Sequence, residues 1–165
     1  MENHSATDSF FSDLYESSHQ VVYAGFWLRV AAYIIDVIVL TIPNLVLQFI
    51  FIGSAIYNQE AINENPLIFF ANMGTYIFAS MALNFLYKAG MESSAWQATL
   101  GKRALDLKVT DEQGQRLSFL RALGRSISTI LSSLIMGIGY LMVAFTARKQ
   151  ALHDKIAGTL VTKTR

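Results

Sequence analysis

The chain has 165 residues, of which 53% are apolar and 15% charged, with a net charge of +1, no cysteine and a mean hydropathy of +0.37. Soluble domains carry about 25% charged residues, so this composition is typical of a membrane protein. The absence of cysteine excludes disulfides and thiolate metal sites. The small net charge argues against a nucleic-acid partner.

The N-terminal segment is acidic. Residues 1–22 contain four Asp or Glu and no Lys or Arg. A secretory signal peptide would need a basic start and an apolar centre. We therefore predict a disordered acidic tail over residues 1–22, followed by a transmembrane domain over residues 23–165.

Three long apolar stretches follow, at residues 27–52, 66–87 and 126–147. A helix needs about 20 residues to cross roughly 30 Å of hydrocarbon, and each stretch is at least that long. They predict an all-α integral membrane helix bundle with three apolar segments. Because proline removes a backbone donor, we expect a kink or a break near Pro43. The second helix should begin at Pro66 and end around residues 87–88.

The segment between the second and third stretches is hydrophilic and basic. Seven Lys or Arg lie between residues 88 and 125, and the positive-inside bias places such a loop in the cytoplasm. Two helices precede it, so the N-terminus should also be cytoplasmic and residues 53–65 external. We expect a multi-pass protein of the bacterial cytoplasmic (inner) membrane.

The third apolar stretch has two interpretations. A full crossing would place the basic C-terminal tail outside, against the same bias. A turn at Gly137–Gly139 would instead make a re-entrant or broken hairpin with both ends in the cytoplasm. Residues 105–110 and 159–164 alternate like strands, residues 111–114 are typical of a turn, and Ser118 is a candidate N-cap of the helix that follows. Two lone strands can pair only if they share a side of the membrane. The hairpin would thus accompany a small cytoplasmic β element, and both arrangements stay open.

Asp36 is the most informative residue, because it lies nine residues inside the first apolar stretch. A carboxylate in hydrocarbon is costly, so it should face the bundle, be protonated or have a cationic partner. Arg29 lies on the same helical face, about 10.5 Å away along the axis. Direct pairing would need a helix bend, a water molecule, or a different partner for each residue.

Several motifs stand in a characteristic order along the chain: Gly25–Asp36, Thr99–Arg103, Val109, Gly114, Ser118, Arg121, Ala122, Arg125, Leu152–Asp154 and Ala157–Thr159. They resemble the RDD family of bacterial multi-pass membrane proteins over about residues 22–163. The family is named for one arginine and two aspartates, which correspond here to Arg29, Asp36 and Asp154. The resemblance implies a multi-pass protein connected with transport, whose ligand is generally unknown.

A charge network is expected if both ends of the third apolar stretch lie on the same side of the membrane. Asp154 would then lie near Arg29, Arg125 and Arg121. Such a network is either a structural clasp that sets helix register, or part of an ion or proton path in which Asp36 binds and releases a cation. Three polar residues, Asn44, Gln48 and Asn84, would line that path or hydrogen-bond between helices.

The sequence contains no Ser-His-Asp order, HExxH sequence or nucleotide-binding loop, so we expect no enzyme, cofactor or metal site. Two classes of function remain. The chain is either a structural or accessory component of a membrane complex, or an ion or small-solute transporter that uses Asp36. Two or three helices barely enclose a path, so transport would require a homo-oligomer or a partner chain. Membrane lipids are the other expected partners.

Overall fold

The computed structural model describes residues 21–53, 57, 59–134 and 138–164, which are mostly helical. Most of the expected N-terminal tail, and Gly137 of the expected turn, lie outside these residues. The elements in chain order are α1 (Phe26–Gln48), a π-helical turn (Phe49–Gly53), α2 (Gln59–Glu64), α3 (Leu67–Ser93), α4 (Leu100–Ala104), β1 (Leu107–Asp111), α5 (Phe119–Leu134), α6 (Ile138–Phe145), α7 (Leu152–Ala157) and β2 (Thr159–Lys163).

The first membrane helix continues through Pro43, so no break interrupts α1 there. Side-chain donors support the backbone on both sides of the proline. Thr41 donates to the carbonyl of Val37 and Asn44 to that of Leu40, both at 2.8 Å. Together with the π-helical turn, α1 is long and apolar enough to cross a membrane.

The second membrane helix, α3, has Pro66 at its N-cap and is also long enough to cross. It ends at Ser93, so the predicted end near residue 88 is wrong. The last turns of α3 carry Glu92, whose buried side chain accepts hydrogen bonds from Lys102 and Arg125. These contacts stabilise the helix beyond residue 88. Beyond α3, the expected hydrophilic loop is instead a folded segment that contains α4 and β1.

The small sheet has the two predicted strands. β1 and β2 are antiparallel, with Val109 opposite Val161. A turn follows β1, in which the Gly114 amide donates to the Asp111 carbonyl at 3.1 Å and Gly114 has a φ of +76°. That φ favours glycine. The sequence thus predicts both the pairing and the turn correctly.

The segment before α1 also joins the sheet, which was not predicted. The Ala24 amide donates to the Val161 carbonyl, and the Lys163 amide donates to the Val22 carbonyl, each at 2.8 Å. Tyr23 forms an antiparallel bridge with Thr162. The start of the first membrane helix is therefore attached to the same sheet as the C-terminal strand.

The third apolar stretch is bent. The helices α5 and α6 meet at 94°, and Ser118 caps α5 as predicted, since its hydroxyl accepts from the Arg121 amide at 3.3 Å. Among the described residues, two helices are candidate spans, or three if the bent pair counts as one. Because β1 precedes this pair and β2 follows it, both ends of the stretch return to the sheet.

The buried core lies at the sheet end of the helices. Its members include Leu107, Val109 and Val161 from the strands and Ala32 and Ala89 from the membrane helices. Away from that end, large apolar side chains point outward. They include Phe49 (80% exposed) and Phe78 (76%). An apolar exterior of this kind suits contact with lipid rather than with water.

Candidate functional site

Asp154 is the centre of a buried group of charges at the sheet end of the helices, and its exposed fraction is 0%. One carboxylate oxygen, Oδ1, accepts from Arg125 Nε at 2.9 Å and from Arg125 Nη2 at 2.7 Å. The other, Oδ2, accepts from Arg29 Nη1 and from the Ala151 amide at 3.1 Å. Burial by itself raises the pKa of Asp154, but Arg125 and Arg29 outweigh it and hold the pKa well below its usual value.

The group continues through Arg125 to the end of α3. Arg125 Nη1 donates to Glu92 Oε2, and Lys102 Nζ donates to Glu92 Oε1. Burial lowers the pKa of the Lys102 ammonium to about 8, although Glu92 opposes that effect. We call these five residues the charge cluster: Arg29, Asp154, Arg125, Glu92 and Lys102. Three cations alternate with two anions, and the cluster connects α1, α3, α4, α5 and α7.

The helices α1 and α5 position the two arginines of the cluster. Arg29 lies in the first turn of α1 and is held by backbone carbonyls, since its Nε donates to Ala24 at 3.2 Å and its Nη2 to Lys149 at 2.6 Å. Arg125 lies on the buried face of α5, together with Ala122. Both arginines therefore project from their helices toward Asp154, to which each donates hydrogen bonds.

Asp36 occupies a second site and is 4% exposed. Its Oδ1 accepts from the Tyr87 hydroxyl at 2.9 Å and from the Gly101 amide at 2.8 Å, and its Oδ2 accepts from the Thr99 hydroxyl at 2.7 Å. Among the ion pairs of the described residues, none includes Asp36. The carboxylate faces the bundle as one alternative expected, but neutral donors take the place of the expected cation.

Glycine is required where α4 meets α1. A Cβ atom added at Gly101 would lie 2.0 Å from the Ala32 carbonyl oxygen. That distance is far inside van der Waals contact, so a larger residue would push α4 away from α1. The Gly101 amide reaches Asp36 only because this approach is so close.

Arg121 does not join the charge cluster. Its guanidinium donates to the carbonyls of Ala157, at 2.8 Å, and Gly158, at 2.7 Å. It also lies 3.6 Å from the Asp111 carboxylate. These contacts fasten the end of α7 and the start of β2 to α5, as a cation at a helix C-terminus often does.

His153 lies beside the charge cluster. Its Nδ1 is 3.3 Å from the Ser132 hydroxyl, and its ring lies 5.4 Å from the ring of Tyr140. Burial lowers the pKa of His153 to about 3, because the neighbouring Asp154 offsets only part of that effect. The imidazole is therefore neutral at physiological pH.

The three predicted polar lining residues share one place. Asn44, Gln48 and Asn84 all line a cavity of about 280 Å³ between α1 and α3. The Ser80 hydroxyl donates to Asn44 Oδ1 at 2.5 Å, and Asn84 Nδ2 donates to the Ser80 carbonyl at 2.7 Å. Asn44 therefore connects the two membrane helices as well as lining the cavity, whereas the Asn84 bond stays within α3. Asp36 lines a different cavity.

Sequence reasoning missed Glu92 and Lys88 and gave no role to Lys102, although Lys102 lies in one of the motifs. A signal for Glu92 was present. A carboxylate in the last turn of a helix opposes the helix dipole, so a glutamate there indicates a strong partner elsewhere. Lys88 lies four residues before Glu92, which places both on one face of α3.

Comparison with known proteins supports the resemblance. The model of the RDD family matches residues 23–158. The chain belongs to the RDD family. In this RDD protein, the naming residues Arg29 and Asp154 contact each other directly, whereas Asp36 occupies the separate site against α4.

Relatives of this RDD protein occur in bacteria. Uncharacterized protein YxaI of Bacillus subtilis is 37% identical over 150 residues, covering 84% of this chain and 95% of the relative. Uncharacterized membrane protein YteJ of the same organism is 30% identical over 145 residues, covering 84% and 80%. Uncharacterized protein RP437 of Rickettsia prowazekii is 34% identical over 99 residues, covering 60% and 50%. No solved structure matches the chain.

Proposed function

We propose that this RDD-family membrane protein is a non-enzymatic structural or accessory component of a membrane complex, in which the charge cluster and Asp36 lock the helices in register. One observation carries the proposal. Both carboxylate oxygens of Asp36, Glu92 and Asp154 accept hydrogen bonds from the protein itself.

Because these carboxylate oxygens already accept hydrogen bonds, they favour a structural role over cation transport. A transported cation bound by Asp36 would have to displace the donors from Tyr87, Thr99 and Gly101. Each buried donor left without a partner costs about 1–3 kcal/mol. The resting arrangement therefore opposes cation binding and stabilises the contact between α4 and α1.

We further propose that the protein lies in the bacterial cytoplasmic membrane with its N-terminus and residues 88–125 in the cytoplasm. The basic residues of this segment support that orientation through the positive-inside bias. The pairing of β1 with β2 supports a C-terminus on the same side, so the bent third stretch would be a re-entrant or broken hairpin.

Native electrophoresis of the protein, extracted from its own membranes in a mild detergent, tests the accessory role. We expect a discrete band larger than the monomer, whose composition mass spectrometry resolves into copies of this chain or a defined partner. Migration only as a monomer, at every detergent concentration at which the protein stays folded, would contradict the proposal.

A second candidate function is an ion or small-solute transporter that works as a homo-oligomer and uses Asp36. The observation that favours it is the cavity shared by Asn44, Gln48 and Asn84, which puts amide groups between the membrane helices. Polar groups within membrane helices are typical of solute paths, although here Asn44 also accepts a hydrogen bond from Ser80 of α3.

The variant Asp36→Asn separates the two functions, with Asp106→Asn as the matched control because Asp106 is exposed. If the role is structural, Asp36→Asn should have a lower melting temperature and reach a lower level in the membrane. The wild-type protein in proteoliposomes should then show no ion-driven pH change. A transporter predicts wild-type flux that Asp36→Asn abolishes while its melting temperature is retained.

A further inference from the structure

A cavity of about 520 Å³ lies against the charge cluster. Six charged residues line it: Arg29, Asp36, Lys88, Glu92, Lys102 and Arg125. Four of the six are cations, so the cavity wall carries a formal excess of positive charge. The structural role and the transport candidate both use residues of this wall, but neither assigns a ligand to Lys88 and Lys102.

The anions of the wall already accept hydrogen bonds from the protein, whereas two of its cations, Lys88 and Lys102, keep N–H donors that no contact among the described residues uses. The Lys88 ammonium forms no ion pair among the described residues, and its Nζ lies 5.8 Å from the centroid of the Tyr33 ring. Lys102 uses one of its three N–H donors for Glu92. Donors on both ammonium groups therefore remain available to a ligand in the cavity.

Another part of the cavity wall is apolar, so the cavity as a whole suits a ligand with a charged end and an apolar end. Phe26, Val30, Tyr33 and Val143 supply apolar surface, and Tyr33 is 59% exposed on the outside of the bundle. The volume falls within the range of sites that hold organic ligands and exceeds what a bare oxyanion would fill. The cationic end also lies near the ends of α1 and α3, where phospholipid headgroups would meet a spanning helix.

We propose that this cavity binds a phosphate group, held by Lys88 and Lys102 and carried by an anionic phospholipid whose chains follow the apolar wall. Phosphate presents several acceptor oxygens, so one group satisfies both lysines at once. Binding there would also offset the excess positive charge beside the charge cluster.

Thermal unfolding of the full chain in an uncharged detergent tests the proposal, with tryptophan fluorescence as the readout. Dioctanoyl phosphatidic acid is the probe, dioctanoylglycerol supplies the same chains without phosphate, and sodium phosphate supplies the group alone. We compare the wild type with Lys88→Gln, with the charge-preserving Lys88→Arg, and with Lys155→Gln, which removes an exposed lysine outside the cavity.

We expect a saturable rise in melting temperature with phosphatidic acid and none with dioctanoylglycerol. Lys88→Gln should need at least about tenfold more phosphatidic acid to reach the same shift in melting temperature. Lys88→Arg and Lys155→Gln should behave like the wild type. The same Lys88-dependent shift with sodium phosphate would support the phosphate site and overturn lipid as its source. Equal shifts in the wild type and Lys88→Gln, or no shift at all, would overturn the proposal.

Discussion

Asp154 forms ion pairs with two arginines, so its loss has consequences for both. Replacing it with Asn should lower the free energy of unfolding by about 3–5 kcal/mol, because Arg29 and Arg125 would keep their charge without a carboxylate between them. Denaturant unfolding in detergent measures the loss.

An exposed ion pair provides the control for Asp154→Asn. Glu112 lies 3.2 Å from Arg148, and both side chains are about half exposed. Such pairs contribute about 0–1 kcal/mol, so Glu112→Gln should cost little. Similar losses in the two variants would show that the cluster does not stabilise the fold.

His153 should make the protein sensitive to acid. Its pKa is near 3 in the folded chain but near 6.5 when unfolded, so below pH 6.5 only the unfolded chain takes up the proton. Stability is complete above pH 6.5 and falls as the pH drops toward 3, by about 2 kcal/mol at pH 5. Melting curves between pH 7.5 and 5 measure this effect. The slope should largely vanish in His153→Gln, and an unchanged slope would assign the effect to other groups.

Among the elements, the contact between α4 and α1 depends on a single glycine. Gly101→Ala would force a Cβ to within 2.0 Å of the Ala32 carbonyl unless α4 moves. We expect a loss of several degrees in melting temperature, together with the hydrogen bond from the Gly101 amide to Asp36. Gly90→Ala is the matched control, since nothing lies within 4 Å of its added Cβ. Helix propensity makes that change neutral or stabilising, and equal effects of the two variants would argue against the close contact.

Patterns within one segment were predictable from the sequence. Alternation identified β1 and β2, and Ser118 identified the start of α5. Segments whose structure depends on distant partners were not. The end of α3 was misplaced because the partners that stabilise Glu92 come from α4 and α5, and no rule of local composition contains them.

For the molecule as a whole, the pairing of β1 with β2 predicts which segments lie on the same side of the membrane. Glu112 follows β1 and Lys163 ends β2, so both should lie on one side of the membrane, whereas Glu60 in the connection between α1 and α3 should lie on the other. Single cysteines at these three exposed positions test this in an otherwise cysteine-free chain. An impermeant maleimide added to oriented vesicles should label positions 112 and 163 together and position 60 separately. Labelling of 112 and 163 from opposite sides would contradict the arrangement.

The candidate site shows the same division between local and distant information. The order of motifs identified Arg29, Asp36 and Asp154, and burial of charge explained why each needs a partner. The partners themselves depend on how five segments meet. Arg121 shares a helical face with Arg125, yet it caps α7 instead of contacting Asp154.

The sequence alone determined that this chain is a membrane protein of the RDD family, because apolar length and motif order are properties of consecutive residues. Only the tertiary structure decided that Asp36 binds neutral donors while Arg29 binds Asp154. The physical reason is distance. Hydrogen bonds and ion pairs act over about 3–4 Å, and residues separated by 63 or 125 positions come that close only when the chain is folded.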